Sequence, residues 1–111
     1  MAMGETMKSA KREEYLDRIR TIVVDGLADT KAEIFLFGSH ARGDATRLSD
    51  VDVAIDAAEP LPTGCLARLR EQLEESTIPL TVELVDLGEA DAEFRARVRG
   101  EGVKWNDCAN G

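Results

Sequence analysis

Gly38-Ser39-His40-Ala41-Arg42-Gly43-Asp44-Ala45-Thr46-Arg47-Leu48-Ser49-Asp50-Val51-Asp52-Val53 joins two apolar segments of the chain. Ile34-Phe35-Leu36-Phe37 precedes it. That run is short and halted by glycine, which reads as a buried strand. At the far end Val51, Val53 and Ile55 alternate with Asp50, Asp52, Ala54 and Asp56. Period two is the pattern of a half-buried strand. Two strands joined by a glycine-bracketed loop therefore form the centre of the fold.

Upstream, Leu16, Ile19, Val23 and Leu27 recur at three and four, which predicts a helix from about Lys8 to Ala28. Downstream, Pro60 and Pro62 close a loop, and Leu66, Leu69 and Leu73 predict a helix over about 63–75. Leu80, Val82 and Leu84 alternate with Thr81, Glu83 and Val85, giving a third strand. Asp91 is placed to cap a last helix carrying Phe94 and Val98, and Val103–Trp105 can add a short final strand. The order is α-β-β-α-β-α, with room for a closing β. That predicts a small α/β (α+β) domain, with a mixed three- to four-stranded sheet and helices mainly on one side. The 111 residues suit a single domain, 1–111, with a core over about 10–105 and loose ends at 1–9 and 106–111.

Composition narrows the function classes. Apolar residues make up 43% and charged residues 32%, a globular mix rather than a disordered one. Asp plus Glu number 22 against 14 Lys plus Arg, a net charge of −8. A partner held mainly through phosphate-backbone electrostatics needs a basic surface, so nucleic acid is not the expected partner. The apolar runs are too short for a bilayer span, and Met1–Ser9 carries no signal-peptide pattern. Neither Cys65 nor Cys108 has CxxC or Cys/His metal spacing. One Cys65–Cys108 disulfide is the alternative to the expectation of a cytoplasmic protein with two reduced thiols.

The chemistry lies in the quoted loop. Asp50 and Asp52, at i and i+2 of a strand, share one face. Paired carboxylates repel unless a cation sits between them, and Mg²⁺ binds through one or two carboxylates plus substrate phosphates. Aspartate is also a poor strand former, so two in one strand call for a reason. Gly38 lets backbone N–H groups approach an anion, and the Ser39 hydroxyl can donate to a phosphate oxygen. Arg42 lies in the same loop, in a short helical turn ended by Gly43. Glu83 falls on the polar face of the third strand. If that strand lies beside the aspartates, Glu83 completes a trio that can bind a second cation or accept a proton. Asp86 faces the other way by alternation. Taken alone, the aspartate pair reads first as a solvated strand face and Gly38-Ser39 as an ordinary turn, while Glu83 is balanced between surface and site. His40 reads as an exposed loop histidine.

Taken together, Gly38, Ser39, Ala41, Arg42 and Gly43, then Ser49, Asp50 and Asp52 before apolar residues, resemble the DNA polymerase beta-like nucleotidyltransferase superfamily. Within it the chain resembles the minimal nucleotidyltransferases (MNT), over about Glu33 to Trp105. The third acidic position carries Glu83, where small members usually have Asp. The resemblance implies the nucleotidyltransferase fold and a Mg²⁺-dependent transfer of a nucleoside monophosphate, AMP from ATP, to a hydroxyl. It implies catalytic and metal-binding roles for Asp50, Asp52 and Glu83, with one or two Mg²⁺ ions. It implies nucleotide-binding roles for Gly38, Ser39, Arg42 and Ser49.

The residues after Glu83 leave no room for an acceptor-binding domain. The resemblance supplies the acceptor: a tyrosine of a helical HEPN toxin, with the MNT chain as antitoxin. A homodimer, or a heterotetramer with the partner, suits so small a domain. Two other readings stand beside it. One is an antitoxin that acts by contact alone. The other is transfer to a small molecule such as an antibiotic.

Overall fold

The computed structural model describes residues 9–43, 45 and 50–106. Its elements are α1 (Ser9–Gly26), β1 (Ala32–Phe37), α2 (Ser39–Arg42), β2 (Val51–Ala57), α3 (Cys65–Glu75), β3 (Val82–Asp86), a 3-10 turn (Leu87–Glu89), α4 (Ala92–Glu101) and β4 (Val103–Lys104). The sheet order is β3-β2-β1-β4. β1 pairs antiparallel with β2 and β4, and β2 pairs parallel with β3. The mixed four-stranded sheet is the one the sequence predicts. A parallel pair cannot be joined by a tight turn, and α3 provides the crossover.

Strand alternation builds two cores. Ile34, Leu36, Val51, Val53 and Ile55 point to one face, where Ile19 and Val23 of α1 and Leu69 and Leu73 of α3 cover them. Burying side chains of this size is worth roughly 1.5–3 kcal/mol each before entropy is counted. The two helices come close because residue 26 is glycine. A Cβ there would run into Cδ2 of Leu69.

On the other face Phe35 and Ala54 pack with Leu87 and Val98. α4 thus lies opposite α1 and α3, and β2 is more enclosed than its half-buried pattern suggested. Ala54 is fully buried. Arg99 pins α4 to this face. Its guanidinium donates to Glu33 at 2.8 Å and Asp56 at 2.7 Å, and stacks over Phe35 at 5.3 Å. Lys104 reaches Glu33 at 2.9 Å. Asp91 caps α4 as expected, its carboxylate accepting from the Phe94 N–H at 2.7 Å.

One expectation changes at the C-terminal end. Asn106, assigned to a loose tail, is held. Its side-chain oxygen accepts from the Ile34 N–H and its amide donates to the Ala32 carbonyl, both at 2.8 Å. The side chain continues the ladder that the two residues of β4 begin. Cys65 is a half-buried free thiol, while Cys108 lies outside the described residues. No helix among the described residues is long and apolar enough to cross a membrane.

Candidate active site

The site forms where β1 ends and β2 and β3 begin. In the antiparallel β1–β2 ladder Phe37 pairs with Asp52. In the parallel β2–β3 ladder Asp52 pairs with Glu83. Register partners project to the same face, so the three side chains form a row across the sheet. Asp50 lies one residue before β2, exposed, and Glu83 is exposed as well, while Asp52 is half-buried. Val51 and Val53 are fully buried on the opposite face and anchor the aspartate-bearing strand.

Gly38 sets the approach of the loop. Its φ of 83° and ψ of −157° lie in a region open essentially to glycine alone. A Cβ at this position would collide with Oδ2 of Asp52 and stand 3.3 Å from its Cγ. The backbone therefore lies directly against the carboxylate. α2 follows at once, with the Ala41 and Arg42 N–H groups both bonded to the Gly38 carbonyl at 3.1 Å. Gly43, at φ 86° and ψ 9°, ends the turn. The N–H groups that open a helical turn lack partners within it, and here they belong to the Gly38-Ser39 segment beside Asp52.

The electrostatics agree with this geometry. Burial pushes the Asp52 carboxyl above its ordinary range, and the negative charges of Asp50 and Glu83 push it further. His40 and Arg42 work in the opposite direction. Asp52 thus stands among like charges in a partly desolvated place, where a cation would be attracted. Among the described residues no three carboxylate, imidazole or thiol groups converge into a ready-made metal cage.

The structure brings Gly38, Asp52 and Glu83 together, with Ser39, Arg42 and Asp50 on adjoining positions. Ser49 lies outside the described residues. Asp86 is committed elsewhere, accepting from the Gly88 N–H at 2.9 Å.

His40 needs correction. It is 3% exposed rather than a surface loop residue. The turn of α2 carries position 40 inward and leaves Arg42 outward, and Arg12 of α1 donates to the His40 carbonyl at 3.3 Å. The sequence reading also missed the aromatic pair beside Asp52. Phe37 and Phe94 meet edge to face, with centroids 5.8 Å apart at 82°. The alternation that put Asp52 on this face could have placed Phe37 there too, but only the position of α4 reveals Phe94.

A strand, a glycine turn, one carboxylate on the next strand with another just before it, and a third across a parallel ladder make up the candidate site. The family model for the polymerase beta nucleotidyltransferase domain matches residues 28–104, and the chain belongs to that family. It is 34% identical over 88 residues to a probable protein adenylyltransferase MntA of Haemophilus influenzae, covering 79% of this chain and 75% of that one. Among solved structures it resembles a toxin-antitoxin complex with AMP-PNP, with a TM-score of 0.63, 31% identity, and 78% and 72% of the two chains covered. It also resembles the complex of a tri-AMPylated Shewanella oneidensis HEPN toxin with its MNT antitoxin. There the TM-score is 0.57 at 27% identity, covering 81% and 71%.

Proposed function

We propose that this nucleotidyltransferase moves AMP from ATP onto a tyrosine hydroxyl of a small helical HEPN toxin, silencing it in the cytoplasm as an antitoxin. The observation that carries this reading is the contact of the Gly38 backbone with the Asp52 carboxylate, with Glu83 alongside. It sets a phosphate cradle and an acidic group within one small region. The likeness to MntA and to toxin complexes holding AMP-PNP or AMPylated toxin supports the nucleotide and the partner.

The donor set suits Mg²⁺: hard carboxylate oxygens, mutual repulsion and an open side for phosphates. Asp50 and Asp52 would hold it, and when bound it supplies positive charge to offset the negative charge of the reacting phosphates. Gly38 and Ser39 hold the β- and γ-phosphates by backbone N–H groups and the serine hydroxyl. Arg42 and Ser49 add contacts to the same phosphates. Glu83, solvent-facing beside Asp52, takes the proton from the acceptor hydroxyl. The hydroxyl oxygen then bonds to the α-phosphorus as the bond to pyrophosphate breaks, and pyrophosphate leaves.

The test is mass spectrometry of the partner toxin after incubation with ATP, Mg²⁺ and this chain. Addition of AMP that disappears in Asp50→Asn is the expected result. Silencing of the toxin with no mass change, unaltered in Asp50→Asn with Asp52→Asn, would instead establish an antitoxin that acts by contact.

A further inference from the structure

β3 ends the sheet among the described residues. The Val51 N–H bonds to the Thr81 carbonyl at 2.8 Å, and Val51 pairs with Val82. In a parallel ladder of that register, Thr81, Glu83 and Val85 bond to β2, while the N–H and C=O groups of Val82, Leu84 and Asp86 face outward. One outward group is already used. Arg70 of α3 reaches over the edge and donates to the Leu84 carbonyl at 3.3 Å. Its side chain divides a groove between α3 and β3 into two cavities, of about 370 and 530 Å³. Leu73, Ile78 and Leu80 line the first, and Leu66, Leu84 and Ala90 the second.

The charge on this groove is one-sided. Glu74 lines the first cavity, and Asp86 and Glu89 line the second, with Arg70 as the cation shared by both. Glu83 faces the other side of the same strand. A second copy pairing β3 to β3 would set these carboxylates against their own images. An extended segment with basic side chains would neutralise them instead.

We infer that the outer edge of β3, with the groove beside α3, is a docking track for an extended basic peptide of a partner, added to the sheet as a fifth strand. Side chains on one face of the added strand enter the groove beside α3, where its basic residues meet Glu74, Asp86 and Glu89, and those on the other face pass Glu83. Arg70 acts as a placeholder on the Leu84 carbonyl that the incoming backbone N–H displaces. The track passes Glu83, so a docked segment runs alongside the candidate active site. Docking itself needs neither nucleotide nor transfer, and is read without them.

The probe is an acetylated, fluorescein-labelled Lys-Val-Lys-Val-Lys-Val peptide titrated into the full chain, followed by anisotropy and by amide NMR shifts. Saturable binding is expected, with shifts at the Val82, Leu84 and Asp86 amides. Glu74→Lys with Glu89→Lys, checked as folded by circular dichroism, should weaken binding about tenfold or more. A peptide N-methylated at alternate backbone positions, on the side that would face β3, should fail to bind. The proposal is overturned by equal binding of a Glu-Val-Glu-Val-Glu-Val peptide, by shifts confined to other strands, or by no saturable binding. Concentration-dependent self-association that shifts the same β3 amides would likewise overturn it, because the occupant would then be a second copy.

Discussion

Asp52 and Glu83 are register partners across the parallel β2–β3 ladder, so two carboxylates from segments thirty-one positions apart in sequence stand side by side on one sheet face. The two differ in exposure. Asp52 is half-buried against Gly38, whereas Glu83 faces solvent, where an incoming hydroxyl can reach it. Glu83→Gln keeps size and hydrogen bonding but removes the basic site. Transfer should fall by about 10²–10⁴-fold with nucleotide affinity nearly unchanged. Glu83→Asp shortens the reach by about 1.5 Å and should fall between the two. Single-turnover rates beside equilibrium nucleotide binding separate these effects.

Gly38→Ala tests the contact of loop and carboxylate. The backbone there disfavours any side chain by roughly 1–3 kcal/mol, and the new methyl would also strike Asp52. Thermal unfolding should show a lower midpoint, and AMP transfer should be lost even where the variant remains folded.

Asp52→Asn should separate stability from activity. The folded state holds the Asp52 carboxyl above its ordinary pKa, so it binds that proton more tightly than the unfolded chain does. The stability tied to Asp52 is then fully present below the unfolded pKa and is lost as pH rises through the folded one. At neutral pH the charged side chain is a burden, and asparagine removes it. The unfolding midpoint at pH 7 should rise slightly, while transfer vanishes. The gain should shrink in acid, which a pH series of melts reads directly.

Arg99→Ala should have the opposite pH signature. Hydrogen bonds from Arg99 and then Lys104 hold the Glu33 carboxyl below its usual range. That contribution is present above the unfolded pKa and is lost as pH falls through the folded value. The ion pairs are largely solvent-exposed, so each is worth at most about 1 kcal/mol, and the stacking on Phe35 adds a similar amount. The variant should melt lower than the parent at pH 7 and differ less from it at pH 3.

Much of this was legible in the chain because two-residue periodicity is a local signal. It placed Asp50, Asp52 and Glu83 on polar strand faces and their valine neighbours in the core. The glycine turn at Gly38 was equally local. The burial of His40 was not, because it depends on how α2 settles against β1 and β2 after the turn. The position of α4 was hidden for a similar reason. Phe94 and Val98 mark an apolar face but not which side of the sheet receives it. Asn106 looked like tail because an amide standing in for backbone leaves no pattern in sequence.

That amide has a consequence well away from the chemistry. One side chain gives β1 the two hydrogen bonds that another strand residue would have given. Ala32-Glu33-Ile34-Phe35-Leu36-Phe37 is rich in aromatic and aliphatic residues, with one charge and no proline. Such a segment, once its outer side is bare, is a template for sticking chains together. Asn106 covers the Ile34 N–H and the Ala32 carbonyl, the part of that side which β4 and the Trp105 N–H leave open. Asn106→Ala should reveal itself first as turbidity, before any change in catalysis.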